Sequence, residues 1–394
     1  MAQLDTPIEE RDISAGARFI AWLGRIFLAA IIPLIAFLVI YAGFIFLRDS
    51  DAPRWVITII AIIWGVGGIA LLYWVFNGIV ERLPDEWTLR LQPFVFVGPA
   101  IAILLWYLTL PVYRTFWLSL FDRDGFPGDF TVFNPLTWPA AIQSESFVGV
   151  TNYVAIFTER LLQESFRNNL MWIVFGSTMS VVTGLFVAWL ADRSKFERVS
   201  KSLIFLPMAI SFVGASVIWN FMYEVRPIDA PQIGVFNAIV VALGGQPQLW
   251  DKWVAIAPWN NLFLILIVIW LQTGFSMVLF SAALKGIPEE IIEASRVDGA
   301  TEIQIFFRIM IPSIMATIIT VWTTIVIFTL KIFDIVWVMT GGQFGTHVIA
   351  TQFYRQSFTA RNSGFGSAIA IILLLTVIPV LIYNLRQFRE GEAF

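Results

Sequence analysis

Eight stretches of this chain are each about twenty residues or longer and almost wholly apolar, and no other property restricts its possible folds so severely. They lie at 19–47, 55–80, 94–121, 168–191, 201–222, 261–284, 308–339 and 365–386. A helix rises about 1.5 Å per residue, so roughly twenty apolar residues match the hydrocarbon thickness of a bilayer. Inside that medium each backbone N–H and C=O must find its partner within the chain, which makes spans of this kind helical. The expectation is an all-α integral membrane protein of about eight transmembrane helices with both termini on one side. Pro33, Gly98, Pro99 and Gly184 fall within the runs, and bilayer helices tolerate such residues. The composition agrees: 58% of residues are hydrophobic, 13% are charged, and the mean hydropathy is +0.79. A soluble domain carries nearer 25% charge.

Short loops rich in Lys and Arg stay in the cytoplasm. Arg193, Lys195, Arg198 and Lys201 follow the fourth span, which places that loop inside, together with 81–93, 285–307, the N-terminal tail and the end near Arg386. Arg48, Arg54, Arg160, Arg167, Arg355 and Arg361 fall on the opposite side, so the assignment rests on the cluster. Asp5, Glu9, Glu10 and Asp12 make the first residues too acidic for a signal peptide, and the following apolar run is too long. They read as a retained cytoplasmic tail. The three long outside connections, 122–167, 223–260 and 340–364, could form a docking surface. Trp250, Trp253 and Trp259 are expected there as an interfacial aromatic belt.

Much chemistry is excluded early. The chain has no cysteine and one histidine, so thiolate and multi-histidine metal sites are absent, and His347 reads as a solvated loop residue. No basic stripe interleaved with aromatics suggests nucleic acid. No G-x-x-x-x-G-K-[ST] loop is present, so the chain cannot itself hydrolyse ATP. Lys331 and Asp334, three apart at the outer end of the seventh span, suit a structural pair or an outer gate better than a proton relay, since an ion-coupled carrier would carry further carboxylates in its spans.

Between the sixth and seventh spans the inner connection is amphipathic and interrupted rather than a plain linker. It reads Gly286-Ile287-Pro288-Glu289-Glu290-Ile291-Ile292-Glu293-Ala294-Ser295-Arg296-Val297-Asp298-Gly299-Ala300-Thr301-Glu302. Pro288 suits a helix start, and Glu289 and Glu290 suit the positive end of the helix dipole. Asp298-Gly299 should end that helix and redirect the chain. Two short helices lying across the membrane face are predicted, shaped to seat in a groove of a soluble partner.

Glu293-Ala294-Ser295, three residues, Gly299, nine residues, then Ile309-Met310-Ile311-Pro312 resembles the signature loop of binding-protein-dependent ABC importer permeases, EAA-x3-G-x9-I-x-L-P. Ser295 and Ile311 depart mildly from it. The resemblance covers roughly 165–386. Leu284-Lys285-Gly286-Ile287-Pro288, Lys331-Ile332-Phe333-Asp334 and Val338-Met339-Thr340-Gly341-Gly342 narrow it toward the maltose, α-glucoside and glycerol-phosphate branch. It implies a six-helix MetI-like core preceded by two extra helices. The implied division is 1–90 (tail and two spans), 91–167 (third span and periplasmic loop) and 168–390 (permease core), with a coupling loop at 286–312. Glu293, Ala294, Ser295, Asp298, Gly299, Ala300 and Pro312 would form the contact with the ATPase.

The same resemblance implies partners: a second permease subunit, two copies of a cytoplasmic ABC ATPase binding ATP and Mg, and an extracytoplasmic solute-binding protein. The chain would hold no cofactor or metal and would sit in a bacterial inner membrane. Ungapped matching from Pro288 and Pro312 carries the maltose permease's sugar contacts onto Leu271, Gln272 and Phe275 in the sixth span and Phe328, Thr329 and Ile332 in the seventh. The expected cargo is an α-glucoside or disaccharide. The alternatives are glycerol phosphate or another polar metabolite and, less favoured, ion-coupled transport.

Overall fold

A computed structural model describes residues 52–81, 85–125 and 135–391, with scattered positions between 35 and 50. The first expected span, 19–47, lies almost wholly outside the described residues. Contacts divide the chain into two units, Met1–Pro111 and Val112–Phe394. In the first, α1 (Arg54–Val80) is a single apolar helix, and α2 (Asp85–Leu118) begins there. Thr88 Oγ1 donates to the Val80 carbonyl, and Tyr73 rests on Phe96 with ring centroids 5.1 Å apart.

The second unit holds α3 (Thr151–Thr158), α4 (Arg160–Ala191), α5 (Glu197–Phe205), α6 (Phe212–Tyr223), α7 (Val235–Ala242), α8 (Asn261–Lys285) and α9 (Glu289–Val297). They are followed by α10 (Glu302–Ser313), α11 (Met315–Leu330), α12 (Asp334–Thr340), α13 (Ile349–Tyr354) and α14 (Ser363–Gly391). Among the described residues, α1, α4, α8 and α14 are long and apolar enough to cross a membrane, and three bent pairs bring the total to seven. These seven match the second to eighth expected spans.

Three spans expected to be continuous are not. The third (94–121) bends by 64° between Gly98 and Ile103. The fifth (201–222) turns by 102° between Ala209 and Phe212. Pro207 interrupts the α-ladder in a 3₁₀ turn, and Ser211 restarts it as an N-cap, its Oγ accepting from Gly214 N at 3.0 Å. The seventh (308–339) is bent by 72° at Ile314, between α10 and α11. Pro312 offers no N–H to the preceding turn, which opens into a π-turn over Phe306–Met310. The same span also ends early, at Leu330. Lys331 therefore closes α11 while Asp334 opens α12, so the two do not share a helix face as expected.

Helix α8 is apolar on every side because it is the axis of the unit. Its N-terminal half packs Leu264, Ile267, Val268 and Leu271 against Trp172, Trp219, Ile335 and Val336. Its C-terminal half packs Met277, Phe280 and Leu284 against Val181, Leu185, Ile305, Phe306 and Ile325. Helices α4 and α8 approach closely at Gly184, where a Cβ would stand 2.3 Å from the Cβ of Ser276. With little hydrophobic drive between helices in lipid, such small-residue contacts supply the packing energy.

Around the N-terminal end of α8 the elements are joined by carboxamides. Asn168 Nδ2 donates to the carbonyls of Gly345 and His347, both at 2.8 Å, while Asn169 accepts from Ile349 N and donates to Leu330 O. Asn260 Nδ2 reaches Phe344 O at 2.8 Å. Together they hold the 341–348 loop down on α4 and α8. His347 is consequently only 9% exposed, not the solvated residue expected, and its burial pushes the imidazole pKa down to about 4. Trp250 also departs from the belt expectation. It stacks on Tyr223, meets Phe236 and Phe263 edge-on, and donates from Nε1 to Asn237 Oδ1 at 3.0 Å.

Candidate functional site

The break between α5 and α6 leaves room beside α8. A cavity of about 280 Å³ opens there, lined by Met208, Ile210, Ser211 and Phe212 of the break, Leu271, Gln272 and Phe275 of α8, and Phe328 of α11. Leu271, Gln272 and Phe275 fall at i, i+1 and i+4, which places them on adjoining sides of one helix. Gln272 is largely buried, and among the described residues its amide has no hydrogen-bond partner. The amide itself stays open to the cavity, where water or a ligand can pair with it. The wall is otherwise aromatic and aliphatic, with the Ser211 hydroxyl engaged in capping. Among the described residues, no Lys, Arg, Asp or Glu lines it.

Four of the six expected sugar contacts, Leu271, Gln272, Phe275 and Phe328, thus meet at one cavity. Thr329 and Ile332 do not join them. Thr329 is fully buried, with its Oγ1 3.1 Å from Ser177 Oγ and donating to Val326 O, so it ties α11 to α4. Ile332 lies in the core against Ile335 and Val336. Adjacent helix positions point about 100° apart, so Phe328 reaches the cavity while its neighbour Thr329 faces away from it. Sequence reasoning missed Met208, Ile210, Ser211 and Phe212. The local signs were Pro207 and the capping-competent Ser211, which hydropathy alone does not register.

About 20 Å further along α8, at the helical rise, lies the interrupted segment. Helix α9 starts after Pro288 with Glu289 and Glu290 in its first turn, as expected. It closes with paired bonds, Gly299 N to Arg296 O and Ala300 N to Ser295 O, both 3.0 Å, around Gly299 at φ +83°. This is a Schellman closure, which needs the left-handed conformation glycine adopts freely. Thr301 then caps α10 through a reciprocal pair with Gln304. Glu293, Ala294, Asp298 and Gly299 are exposed, whereas Ser295 is partly covered and its Oγ donates to Ile291 O. Pro312 is exposed beside the bend.

Charges brace this segment on the spans. Glu302 accepts from Arg296 Nε at 2.8 Å and also from Arg193, whose guanidinium lies 4.3 Å above the Trp189 ring. Lys201 bridges Asp192 and Glu197, and Lys285 joins Glu197. Exposed pairs of this kind add little stability singly, but here they connect α9, α10, α5 and the C-terminal ends of α4 and α8. Val297, 87% exposed, together with Ile291, Ile303 and Phe307 leaves an apolar set uncovered beside them. Exposed apolar groups rimmed by charge mark an interaction surface.

Comparison with known proteins agrees with this arrangement. Residues 180–389 match the model of the family described as "binding-protein-dependent transport system inner membrane component". The chain belongs to that family. It is 49% identical to the osmoprotective compounds uptake permease protein GgtC of Synechocystis sp., over 76% of this chain and 99% of that protein. It is 45% identical to the alpha-glucoside transport system permease protein AglF of Rhizobium meliloti, over 75% of this chain and 82% of that protein. The trehalose/maltose transport system permease protein MalF of Thermococcus litoralis is 28% identical, over 75% of this chain and 93% of that one. Among solved structures, a chain of a bacterial alginate ABC transporter in complex with a pentasaccharide-bound periplasmic protein superposes with a TM-score of 0.54 at 19% identity, covering 75% of this chain and 95% of that one. That likeness concerns the fold alone. The chain is a multi-pass permease subunit of an ABC transporter.

Proposed function

We propose that the chain lines the import path for a neutral sugar, an α-glucoside or disaccharide, and couples its passage to a separate ATPase. The observation carrying this reading is the cavity whose only uncommitted polar side chain is Gln272, set among Phe212, Phe275 and Phe328. Aromatic faces beside a hydrogen-bonding amide suit a hydroxyl-rich, uncharged ring. A phosphorylated cargo would call for a cation, and none lines the wall. The names of the similar α-glucoside and maltose permeases support the same class.

The interrupted segment 286–312 serves as the coupling element in this reading, with Glu293 and the residues around Gly299 against the ATPase. ATP and Mg are held by that partner, and the chain has no catalysis of its own. The assembly is completed by a second permease, two ATPase copies and an extracytoplasmic binding protein. Both termini face the cytoplasm. The domain order is a tail with two spans (1–90), a third span with its outer loop (91–167) and the core (168–390).

The test is uptake of labelled maltose, trehalose, sucrose and glycerol 3-phosphate into proteoliposomes holding all co-encoded subunits, with native chain, Gln272→Ala and Phe275→Ala. ATP-dependent uptake of a neutral disaccharide, with KM raised in both variants, is expected. Uptake of glycerol 3-phosphate alone, or uptake without ATP, overturns the reading.

A further inference from the structure

A second cavity, of about 290 Å³, lies in the connection after α6, lined by Asn220, Phe221, Tyr223, Glu224, Val225, Leu249, Asp251 and Lys252. Asp251 is 2% exposed, and its Oδ2 has no hydrogen-bond partner. A carboxylate oxygen in that state is costly unless a donor or counter-charge reaches it.

The surroundings hold it in place. Asn237, fully buried, donates to Glu224 O and Gln248 O at 3.0 and 3.1 Å and accepts from Gln248 N and from Trp250 Nε1. Asn260 Nδ2 donates to Asp251 O at 3.0 Å. The turn bearing Asp251 is therefore tied to α6, α7 and α8. Its titratable neighbours are Tyr223 and Glu224 at the end of α6 and Lys252 on its own turn. Tyr223 is committed to Phe263 O at 2.9 Å, Glu224 has Arg226 at 3.4 Å, and Lys252 forms no ion pair within 4.0 Å among the described residues.

We propose that this cavity receives a basic side chain, Lys or Arg, from the extracytoplasmic binding protein, with ionised Asp251 as its counter-charge. The inference rests on the importer reading, which puts the 223–260 connection on the outer face. An ammonium or guanidinium inserted beside Asp251 supplies a counter-charge and, once the carboxylate turns toward the cavity, the donor and charge-assisted hydrogen bond that Oδ2 lacks. Burial pushes the Asp251 carboxyl up to about 6, against the opposing pull of Lys252 and of the backbone N–H groups at 251 and 252. An incoming cation favours the ionised form, so docking weakens as pH falls through 6.

The experiment measures the affinity of the co-encoded binding protein for the complete complex in nanodiscs at pH 7.5 and pH 5.5. Native chain, Asp251→Asn and Asp251→Glu are compared, with basal ATPase rate and thermal midpoint confirming assembly. Asp251→Asn is expected to raise Kd about tenfold or more at pH 7.5, as loss of a charge-assisted bond does. It should also abolish the pH dependence shown by native chain, and Asp251→Glu should restore part of both. Native affinity and native pH dependence in an assembled Asp251→Asn complex overturn the proposal, as does loss of native binding on chelator treatment, which would assign the cavity to a metal ion. Failure of native complex to bind the protein at either pH overturns the importer reading itself, and the proposal with it.

Discussion

Replacing Gly299 by Ala isolates a backbone effect at the coupling segment. A Cβ built at Gly299 meets nothing within 4 Å, and the residue sits at φ +83°. Steric crowding is thus absent, and the whole cost is that of holding an L-residue in the left-handed region, about 1–2 kcal/mol. That biases the turn joining α9 to α10 against its native form by roughly 5- to 30-fold. Sugar-stimulated ATP hydrolysis by the reconstituted complex should fall by up to that factor in Gly299→Ala. Gly299→Asn should lie between the two, because Asn tolerates the left-handed conformation better than Ala. Assembly, read from the permease-to-ATPase ratio after purification, should hold. If Gly299→Ala couples as well as native chain, or Gly299→Asn is the worse of the pair, the conformational account is refuted.

Two further substitutions probe the core of the second unit. Gly184→Leu forces a side chain against Ser276 and should destabilise by about 1–3 kcal/mol, lowering the thermal midpoint in detergent; Gly176→Ala, whose Cβ finds ordinary contacts at 3.6 and 3.7 Å, should leave it nearly unchanged. His347 titrates at about 4 when folded and near 6.5 when unfolded, so the unfolded chain binds more protons between those values. Its contribution is complete above pH 6.5 and lost as pH falls toward 4, amounting to about 2 kcal/mol by pH 5. The thermal midpoint should fall on acidification, and His347→Gln should flatten that dependence.

What the sequence made legible follows the range of the forces involved. Helix α9, its closure at Gly299 and the start of α10 are written in local chemistry, since Pro288, Asp298-Gly299 and Thr301 each act on neighbouring backbone groups. Spans were legible because hydrophobic length is additive along the chain. Bends were not: hydropathy is blind to direction, so the 102° turn at 209–212 and the early end of α11 at Leu330 passed as continuous helix. The α8 face of the cavity was reached through family resemblance rather than periodicity, because α8 is apolar on all sides and has no preferred face. His347 and Trp250 depend on cover from distant residues, and no local pattern reports that cover.

The wall formed by Met208, Ile210 and Phe212 belongs to a helix break at the edge of the core, where Ile210 and Phe212 pack partly buried against it, and not to the α4–α8 contact itself. Substitutions there change the shape offered to a ligand while leaving the α4–α8 contact intact. Residues on α8 have no such freedom, since Leu271 is simultaneously wall and core. Divergence in cargo between related permeases should therefore accumulate at the break first, and a directed-evolution library meant to retarget uptake gains most by randomising 208–212 and leaving α8 alone.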